Sequence, residues 1–339
     1  MRKWQFWLGI IISGAFVVLA LQGLKLDQVW HNIRNANYIW LVPSVFVYFL
    51  AVVVRTWRWG FMLRPLKKVS VPRLFPVVVI GYMGNNIFPF RAGELLRSYV
   101  LRRREAIAIS SSLATVVVER VFDGLVMLVF VFVALPLTPI PGDSTGRFGN
   151  MVTLASAAFF GAMIVFFILA AYPNYFLSTA AWFAERLLPQ RFAEPLLEFL
   201  NRFIAGLASL RSFRNVIMIF FTSVLIWLLE TVKYWFVMHA FDFQVSFFAL
   251  MLMNGVVNLF TTLPSAPGYV GTFDTPGIRV LSEVFGVSKD IAAAYTVVLH
   301  AALWLPITLL GAYYMWRESL SWQDLGEASR MARKEPGEA

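Results

Sequence analysis

A run of helix breakers and ionisable residues follows directly on an apolar stretch near residue 90. It contains two amides, a proline, a glycine and three charged side chains: Asn85, Asn86, Pro89, Arg91, Gly93, Glu94 and Arg97. In a helix that starts after the proline, the charged residues lie along one face because they recur every third position. Two guanidinium groups around one carboxylate, beside the N–H groups of a broken helix, suit a phosphate. The pattern predicts a phosphate site, with ordinary cytoplasmic anchoring of Arg91 and Arg97 as the alternative.

A second charged cluster, Glu119, Arg120 and Asp123, lies inside a long apolar segment. Ionisable groups are costly in lipid and normally face protein or water, where they pair with one another. We expect Arg120 to pair with Asp123 on the same helix, and Glu119 to pair with a basic residue elsewhere, Arg55 or Arg58. Such a network either serves a substrate or fixes the register of the helices.

Three further charged residues in apolar segments are candidates for the same site: Arg58, Glu230 and Lys233. For Arg58, which precedes Trp59, the simplest explanation is a side chain that snorkels to the cytoplasmic surface within an aromatic belt. For Glu230 and Lys233 it is a salt bridge between residues three apart on a helix. His300 stands alone, and we expect a hydrogen-bonded core histidine rather than a proton relay.

Turn formers and amides form another group after a later apolar stretch. The group comprises Asn254, Asn258, Pro264, Pro267, Gly268, Gly271, Thr272 and Asp274. Because it carries few charges, we expect it to shape and line a cavity from the outer side of a membrane. Asn258 is included among the candidate substrate-binding residues.

The composition is typical of a polytopic membrane protein. Of the 339 residues, 59% are hydrophobic and 14% are charged, and the mean hydropathy is +0.69. The net charge of +10 comes from Lys and Arg clusters beside apolar runs, as in cytoplasmic membrane loops, so we expect no nucleic-acid partner. The chain has no cysteine and only three scattered histidines, which predicts neither a metal site nor a cofactor.

Six segments are long and apolar enough to span the membrane: 4–23, 38–63, 106–136, 150–172, 214–240 and 291–316. We interpret the first as a retained helix rather than a signal peptide. Two further apolar stretches need another explanation. The stretch at 74–90 has basic residues on both flanks, so both flanks are cytoplasmic and the segment 74–104 is a re-entrant hairpin broken at Pro89 and Gly93.

The same rule, that basic flanks are cytoplasmic, predicts a second hairpin at 246–286 when it is applied to the later segments. This hairpin enters from the opposite face of the membrane. Its predicted breaks are Pro264, Pro267, Gly268 and Gly271. The two hairpins, each between charged spans, suggest an inverted repeat, an architecture of transporters whose substrate site lies near the midplane.

The predicted fold is therefore all-α, a single membrane domain over residues 1–318 with both termini cytoplasmic. Residues 174–212 are expected to form an amphipathic pair of helices on the cytoplasmic leaflet, or else a plain loop. Residues 319–339 form a cytoplasmic tail that is predicted to be disordered.

At these residues the chain resembles the transmembrane region of lysylphosphatidylglycerol synthases and the related stand-alone, flippase-like membrane proteins. Three groups carry the resemblance, over about 5–317: Asn86, Pro89, Arg91, Gly93, Glu94 and Arg97; Glu119, Arg120 and Asp123; Pro264, Pro267, Gly268 and Gly271. Where the family tends to have a paired glycine and a following glutamate in the last group, this chain has Tyr269 and Asp274.

The resemblance implies movement of a lipid, often anionic or aminoacylated, between the leaflets of a bacterial inner membrane. We expect Arg91 to bind the lipid phosphate, Glu94 and Glu119 to orient Arg91 or meet a cationic head group, and Arg120 with Asp123 to hold a gate. We expect no lysyl-transferase domain, because 23 residues follow Trp316.

Three other functions stay open. The chain could be a non-transporting scaffold or regulator of a lipid-modifying enzyme, or an ion-coupled solute transporter. A membrane transferase that uses Glu119 or Asp123 as general base is the third, although the sequence has no nucleotide or metal motif.

Overall fold

The computed structural model describes residues 3–88, 91–137, 172–187, 189–207, 212–263 and 265–318, with isolated positions at 157, 160, 161, 164, 168 and 210. The described residues form helices joined by turns, with no β-strand among them, which confirms the all-α prediction for this part of the chain. Pro89, Pro264, most of the predicted span 150–172 and the predicted tail 319–339 lie outside the described residues.

The chain begins with a sharply bent helix pair. Helix α1, Lys3–Leu21, occupies the first predicted span, and α2, Leu26–Asn35, follows it. The axis turns by 87° between them, and Gly23 in the connecting turn has a φ of 71°, which glycine adopts without steric cost. A short 3-10 turn, Tyr38–Trp40, then leads into α3, Leu41–Leu63.

The first hairpin consists of α4, Val71–Ile87, and α5, Ala92–Glu105, packed against each other. Its two flanks meet, since the Lys67 ammonium lies 2.8 Å from the Glu105 carboxylate. The hairpin therefore starts and ends at the same end of the molecule. The prediction that Gly93 breaks the helix was wrong: Gly93 lies in the first turn of α5, and the helix is interrupted before it.

Among the described residues, four helices with defined ends come between the two hairpins. They are α6, Ile109–Leu137; α7, Pro173–Leu187; α8, Gln190–Gly206; and α9, Phe213–Met238. Helices α7 and α8 occupy the segment predicted to be an amphipathic pair, so the plain loop is excluded there. Exposed aromatic side chains on α7, such as Tyr175 and Trp182, are of the kind found at a membrane surface.

The second hairpin starts with α10, Phe247–Phe260, and returns through the short α11, Asp274–Arg279, which continues into a π-helical turn, Val280–Val284. The last helix of the described part of the chain is α12, Lys289–Arg317. The Phe243 ring before the hairpin lies 5.2 Å from the Tyr295 ring after it. The second hairpin therefore also returns to the end from which it starts.

The two hairpins start from opposite ends of the helix bundle. Arg104 beside the first hairpin lies 3.5 Å from Glu318 after α12, whereas the second hairpin adjoins the beginning of α12. By length and composition, three described helical segments could cross a membrane, namely Tyr38–Leu63, Phe213–Met238 and Lys289–Arg317, or four segments if the bent α1–α2 pair is one span. The six-span count and the inverted repeat remain predictions.

Two apolar clusters hold the bundle together. One surrounds the first hairpin and includes Ile80 and Met83, and the other surrounds the second and includes Leu250 and Leu299. All four side chains are fully buried. Charged residues of α3, α6 and α9, among them Arg55, Arg120 and Glu230, share one cavity with residues of both hairpin tips.

Candidate functional site

A polar cavity of about 140 Å³ lies where the tips of the two hairpins meet. Polar and aromatic side chains dominate its lining, which includes Tyr48, Arg55, Tyr82, Asn85, Asn86, Arg91, Arg120, Trp227, Glu230, Lys233, Asn258, Thr261, Tyr269, His300 and Trp304. The Arg91 guanidinium donates a hydrogen bond to the Thr261 carbonyl at 3.2 Å, which joins the two tips directly. The Trp304 indole donates to the Asn86 carbonyl at 3.3 Å and adds α12 to the same junction.

The lining of this cavity is electropositive. Four of the described lining residues are cations, Arg55, Arg91, Arg120 and Lys233, whereas Glu230 is the one carboxylate among them. Three polar atoms of the lining make no hydrogen bond in the described structure, Nε of Arg91, Nε of Arg120 and Oδ1 of Asn85. The Nε of Arg120 lies 3.6 Å from the Glu94 carboxylate. Buried donors without a partner are costly, so a bound anion or water would stabilise them.

Arg91 adopts an unusual backbone conformation at the tip of the first hairpin. Its φ of 51° lies in the left-handed region that non-glycine residues rarely occupy. The residue therefore stands immediately before α5 and not within it, but the expected proximity of Arg91 to Glu94, three positions later, is present. Its guanidinium lies 3.8 Å from the Glu94 carboxylate, while Arg97 points to α6.

Behind the cavity lies a buried ion network centred on Glu119. Arg97 contacts the Glu119 carboxylate at 2.7 Å and Arg58 contacts it at 3.0 Å. Arg58 also contacts Asp123 at 2.6 Å. The Arg58 side chain is 0% exposed, so the snorkelling explanation was wrong. Two carboxylates on α6 hold this guanidinium inside the protein instead.

Arg120 connects the network to the cavity. It contacts three carboxylates, Glu94 at 3.6 Å, Glu119 at 3.4 Å and Asp123 at 3.7 Å. The expected pair with Asp123 is present, but each of these contacts is longer than those of Arg58. With its side chain 33% exposed, Arg120 is also more accessible than Arg58 and Arg97, which are 0% and 6% exposed.

A second ion cluster lies on the α3 and α9 side of the cavity. Glu230 accepts a hydrogen bond from Arg55 at 2.9 Å and pairs with Lys233 on its own helix. The Arg55 guanidinium also lies 4.9 Å from the Trp227 ring, a cation–π distance. Of the two expected partners for Glu119, Arg58 is the one present, whereas Arg55 pairs with Glu230.

On the second-hairpin side, His300 links the interrupted segment to α12. One ring nitrogen lies 2.8 Å from the Asp274 carboxylate, and the other lies 2.7 Å from the Gly268 carbonyl. The Gly271 N–H donates to the same carboxylate at 2.9 Å. His300 is thus a hydrogen-bonded histidine, as expected, and it also lines the cavity.

The glycines of this segment form its turns. Gly268 has a φ of 72° and Gly271 a φ of 81°, both in the left-handed region, and Pro267 begins the 3-10 turn that contains Gly268.

Asn258, near the end of α10, donates a hydrogen bond to the Asn254 side chain at 2.7 Å.

The structure brings all the described candidate residues to this region, in two layers. Six of them line the cavity: Asn86, Arg91, Arg120, Glu230, Lys233 and Asn258. Five lie behind or beside it: Arg58, Glu94, Arg97, Glu119 and Asp123. Arg55 and the aromatic lining residues were not among the residues predicted from the sequence to form the site. Arg55 could have been recognised by its position, one helical turn before Arg58.

Among the described residues, no group of three or more histidine, aspartate and glutamate side chains could hold a metal ion. The arrangement instead provides guanidinium, ammonium and amide donors around a small cavity. This chemistry suits binding of an anion, with the carboxylates behind the cavity fixing the positions of the cations.

Comparison with known proteins gives concordant matches over most of the chain. A family model described as the lysylphosphatidylglycerol synthase TM region matches residues 6–311. A UPF0104 membrane protein of Methanocaldococcus jannaschii is 24% identical, over 89% of this chain and 91% of that protein. A UPF0104 membrane protein of Methanothermobacter thermautotrophicus is 26% identical, over 92% of each chain. The glycosyltransferase AglD of Haloferax volcanii is 26% identical over 86% of this chain, but the match covers only 51% of AglD.

Proposed function

The chain belongs to the family of the lysylphosphatidylglycerol synthase transmembrane region, and from this premise we propose that it moves a phosphate-bearing lipid between membrane leaflets. The head group enters the polar cavity at the hairpin tips while the hydrocarbon tails stay in the apolar phase. The observation that carries the proposal is the cavity lining of four cations and one carboxylate.

The energetic cost of these charges supports a polar ligand. Each ionised side chain at membrane depth costs roughly 3 kcal/mol on insertion scales unless it is paired or hydrated. When the groups behind the cavity are included, six described cations share four carboxylates: Arg55, Arg58, Arg91, Arg97, Arg120 and Lys233 contact Glu94, Glu119, Asp123 and Glu230. A phosphate would supply the missing negative charge and accept hydrogen bonds from Arg91 and Arg120.

The lengths of the contacts suggest different roles for the arginines. Arg58 and Arg97 are held at 2.6–3.0 Å and are almost fully buried, which fits a structural role. Arg120 has three carboxylate contacts at 3.4–3.7 Å and a partly exposed side chain. We assign Arg91 and Arg120 to head-group binding, and Arg120 with Asp123 to the opening and closing of the cavity.

A membrane transferase receives less support from the geometry. A general base must come within hydrogen-bond reach of the group that it deprotonates. Glu119 is 0% exposed and paired with arginines, and neither Glu119 nor Asp123 lines the cavity. We therefore assign no catalytic step to this site.

The test is lipid exchange between the leaflets of proteoliposomes that contain phosphatidylglycerol or its aminoacylated form. Membrane-impermeant reagents report the outer leaflet, with periodate for the glycerol head group and an amine-reactive probe for the aminoacyl group. We expect the intact chain to accelerate exchange, and Arg91→Ala and Arg120→Gln each to reduce the rate at least about tenfold, or 1.4 kcal/mol. Glu94→Gln should reduce it as well.

The matched control is Arg279→Gln, because Arg279 is a half-exposed cation on α11 that pairs with Glu283 and does not line the cavity. We expect this variant to exchange lipid at the rate of the intact chain. Failure of the intact chain to accelerate exchange of either lipid would favour the scaffold function. Gradient-dependent uptake of a soluble anion, without lipid exchange, would favour the solute transporter.

A further inference from the structure

An apolar groove of about 500 Å³ lies between the bent α1–α2 pair and α12. Aliphatic side chains form most of its wall, among them Val17, Leu21 and Val297. His300 and Trp304 line both this groove and the polar cavity. The two spaces therefore adjoin at these two side chains, with the charged cavity on one side and a mostly aliphatic groove on the other. Asp274, the carboxylate in the groove lining, is paired with His300 at this boundary.

Hydrogen bonds between distant parts of the chain fix the walls of the groove. The Ala266 N–H donates to the Ser13 hydroxyl at 2.7 Å, which attaches α1 to the second hairpin. The Lys25 N–H donates to the Asp290 carboxylate at 2.9 Å, which attaches the start of α2 to α12. The groove is thus a defined part of the fold and not a gap beside a loosely placed first helix.

We propose that this groove holds one hydrocarbon chain of the lipid whose head group occupies the polar cavity. This inference rests on the proposed function and specifies its substrate as a lipid with at least one long apolar chain. A soluble anion would need only the polar cavity, whereas an amphipathic molecule needs adjoining polar and apolar spaces. The shared boundary at His300 and Trp304 matches the junction between such a head group and its chain.

The groove affects how the lipid moves through the protein more than how tightly the lipid binds. A hydrocarbon chain gains little free energy when it passes from the bilayer into an apolar groove, since both surroundings are equally apolar. A polar wall would instead impose a desolvation cost on the chain or on the wall. The aliphatic lining therefore lets the chain follow its head group without a barrier.

The test fills the groove with Val297→Phe and Ala301→Phe together, and measures two properties of the full-length protein. Both residues line the groove from an exposed face of α12. The first property is exchange of phosphatidylglycerol in proteoliposomes, and the second is binding of glycerol phosphate, a soluble analogue of the head group, by titration calorimetry. Leu309→Phe is the matched control, because Leu309 is 62% exposed on the same helix outside the groove.

We expect the double variant to exchange lipid at least tenfold more slowly while it binds glycerol phosphate as tightly as the control. Unchanged exchange by the double variant, with the intact chain active, would overturn the groove assignment and leave the proposed function standing. Absence of exchange by the intact chain would overturn both. If the double variant loses head-group binding, Val17→Phe narrows the groove from α1 instead, and undiminished exchange by that variant would overturn the assignment.

Discussion

At the scale of single residues, Glu119 is the side chain on which the central ion network depends. Its carboxylate contacts Arg97 at 2.7 Å, Arg58 at 3.0 Å and Arg120 at 3.4 Å. The first two guanidinium groups are buried; Arg58 also contacts Asp123 at 2.6 Å, whereas Arg97 is paired with Glu119. Neutralising Glu119 would therefore leave two buried cations with less negative charge beside them. This loss lowers the free energy of unfolding more than removal of the whole cluster of charges would.

We expect Glu119→Gln to lower the free energy of unfolding by about 3–5 kcal/mol, the cost of breaking a buried ion pair. Denaturant unfolding in detergent micelles, followed by circular dichroism, measures it. The control is Glu198→Gln, which removes the exposed Glu198–Arg202 pair on α8 and should cost less than about 1 kcal/mol. Equal effects of the two substitutions would show that the network does not stabilise the fold.

The sequence indicated the charged residues of the site better than it indicated their partners. Arg120–Asp123 and Glu230–Lys233 were predictable because residues three apart lie on the same side of a helix. The pairing of Arg97 with Glu119 and of Arg55 with Glu230 depends on which helices face each other, and helical spacing contains no such information. Aromatic lining residues such as Trp227 gave no signal, since 16% of the chain is aromatic.

At the scale of helices, the first hairpin depends on backbone contact between α4 and α5. A Cβ atom added to Gly93 would lie 1.9 Å from the Gly81 carbonyl oxygen and 2.4 Å from the Asn85 backbone nitrogen. No side chain fits there unless the two helices move apart. The glycine was recognisable in the sequence, but its role is close helix packing rather than the predicted interruption.

We expect Gly93→Ala to separate α4 from α5, to lower the free energy of unfolding by about 1–3 kcal/mol, the usual cost of overpacking, and to slow lipid exchange. The matched control is Gly14→Ala on α1, where nothing lies within 4 Å of an added Cβ. Thermal unfolding in micelles and the exchange assay measure the two effects. If Gly93→Ala unfolds and exchanges lipid like the unsubstituted protein, this result would contradict the close packing of α4 against α5.

At the scale of the whole molecule, each hairpin returns to its own end of the bundle. The contacts of Lys67 with Glu105 and of Arg104 with Glu318 place the flanks of the first hairpin beside the end of α12. The charge pattern of the sequence indicated the same return, because basic residues lie on both sides of the segment. It could not indicate that the two hairpin tips touch, since this contact joins residues 170 positions apart, Arg91 and Thr261.

The proposed topology in an inner membrane, with both termini cytoplasmic, predicts which surface positions react from each side. The chain has no native cysteine, so an introduced cysteine is the only thiol that a labelling reagent can modify. We expect Lys68→Cys and Arg103→Cys to react with an impermeant maleimide only from the cytoplasmic side, and Asp242→Cys only from the outer side. Labelling of Lys68→Cys and Arg103→Cys from opposite sides would show that the first hairpin is a full span.

The long-range ion pairs also impose an order in time on the synthesis of the protein. Arg55 and Glu230 are separated by 175 residues, so at roughly 5–20 residues per second Arg55 is made about 9–35 s before its partner. During that interval its guanidinium group needs a temporary partner, such as water or a lipid phosphate at the membrane surface. This ion pair can form only after α9 has been synthesised, and the cavity that it lines is therefore completed late in biosynthesis.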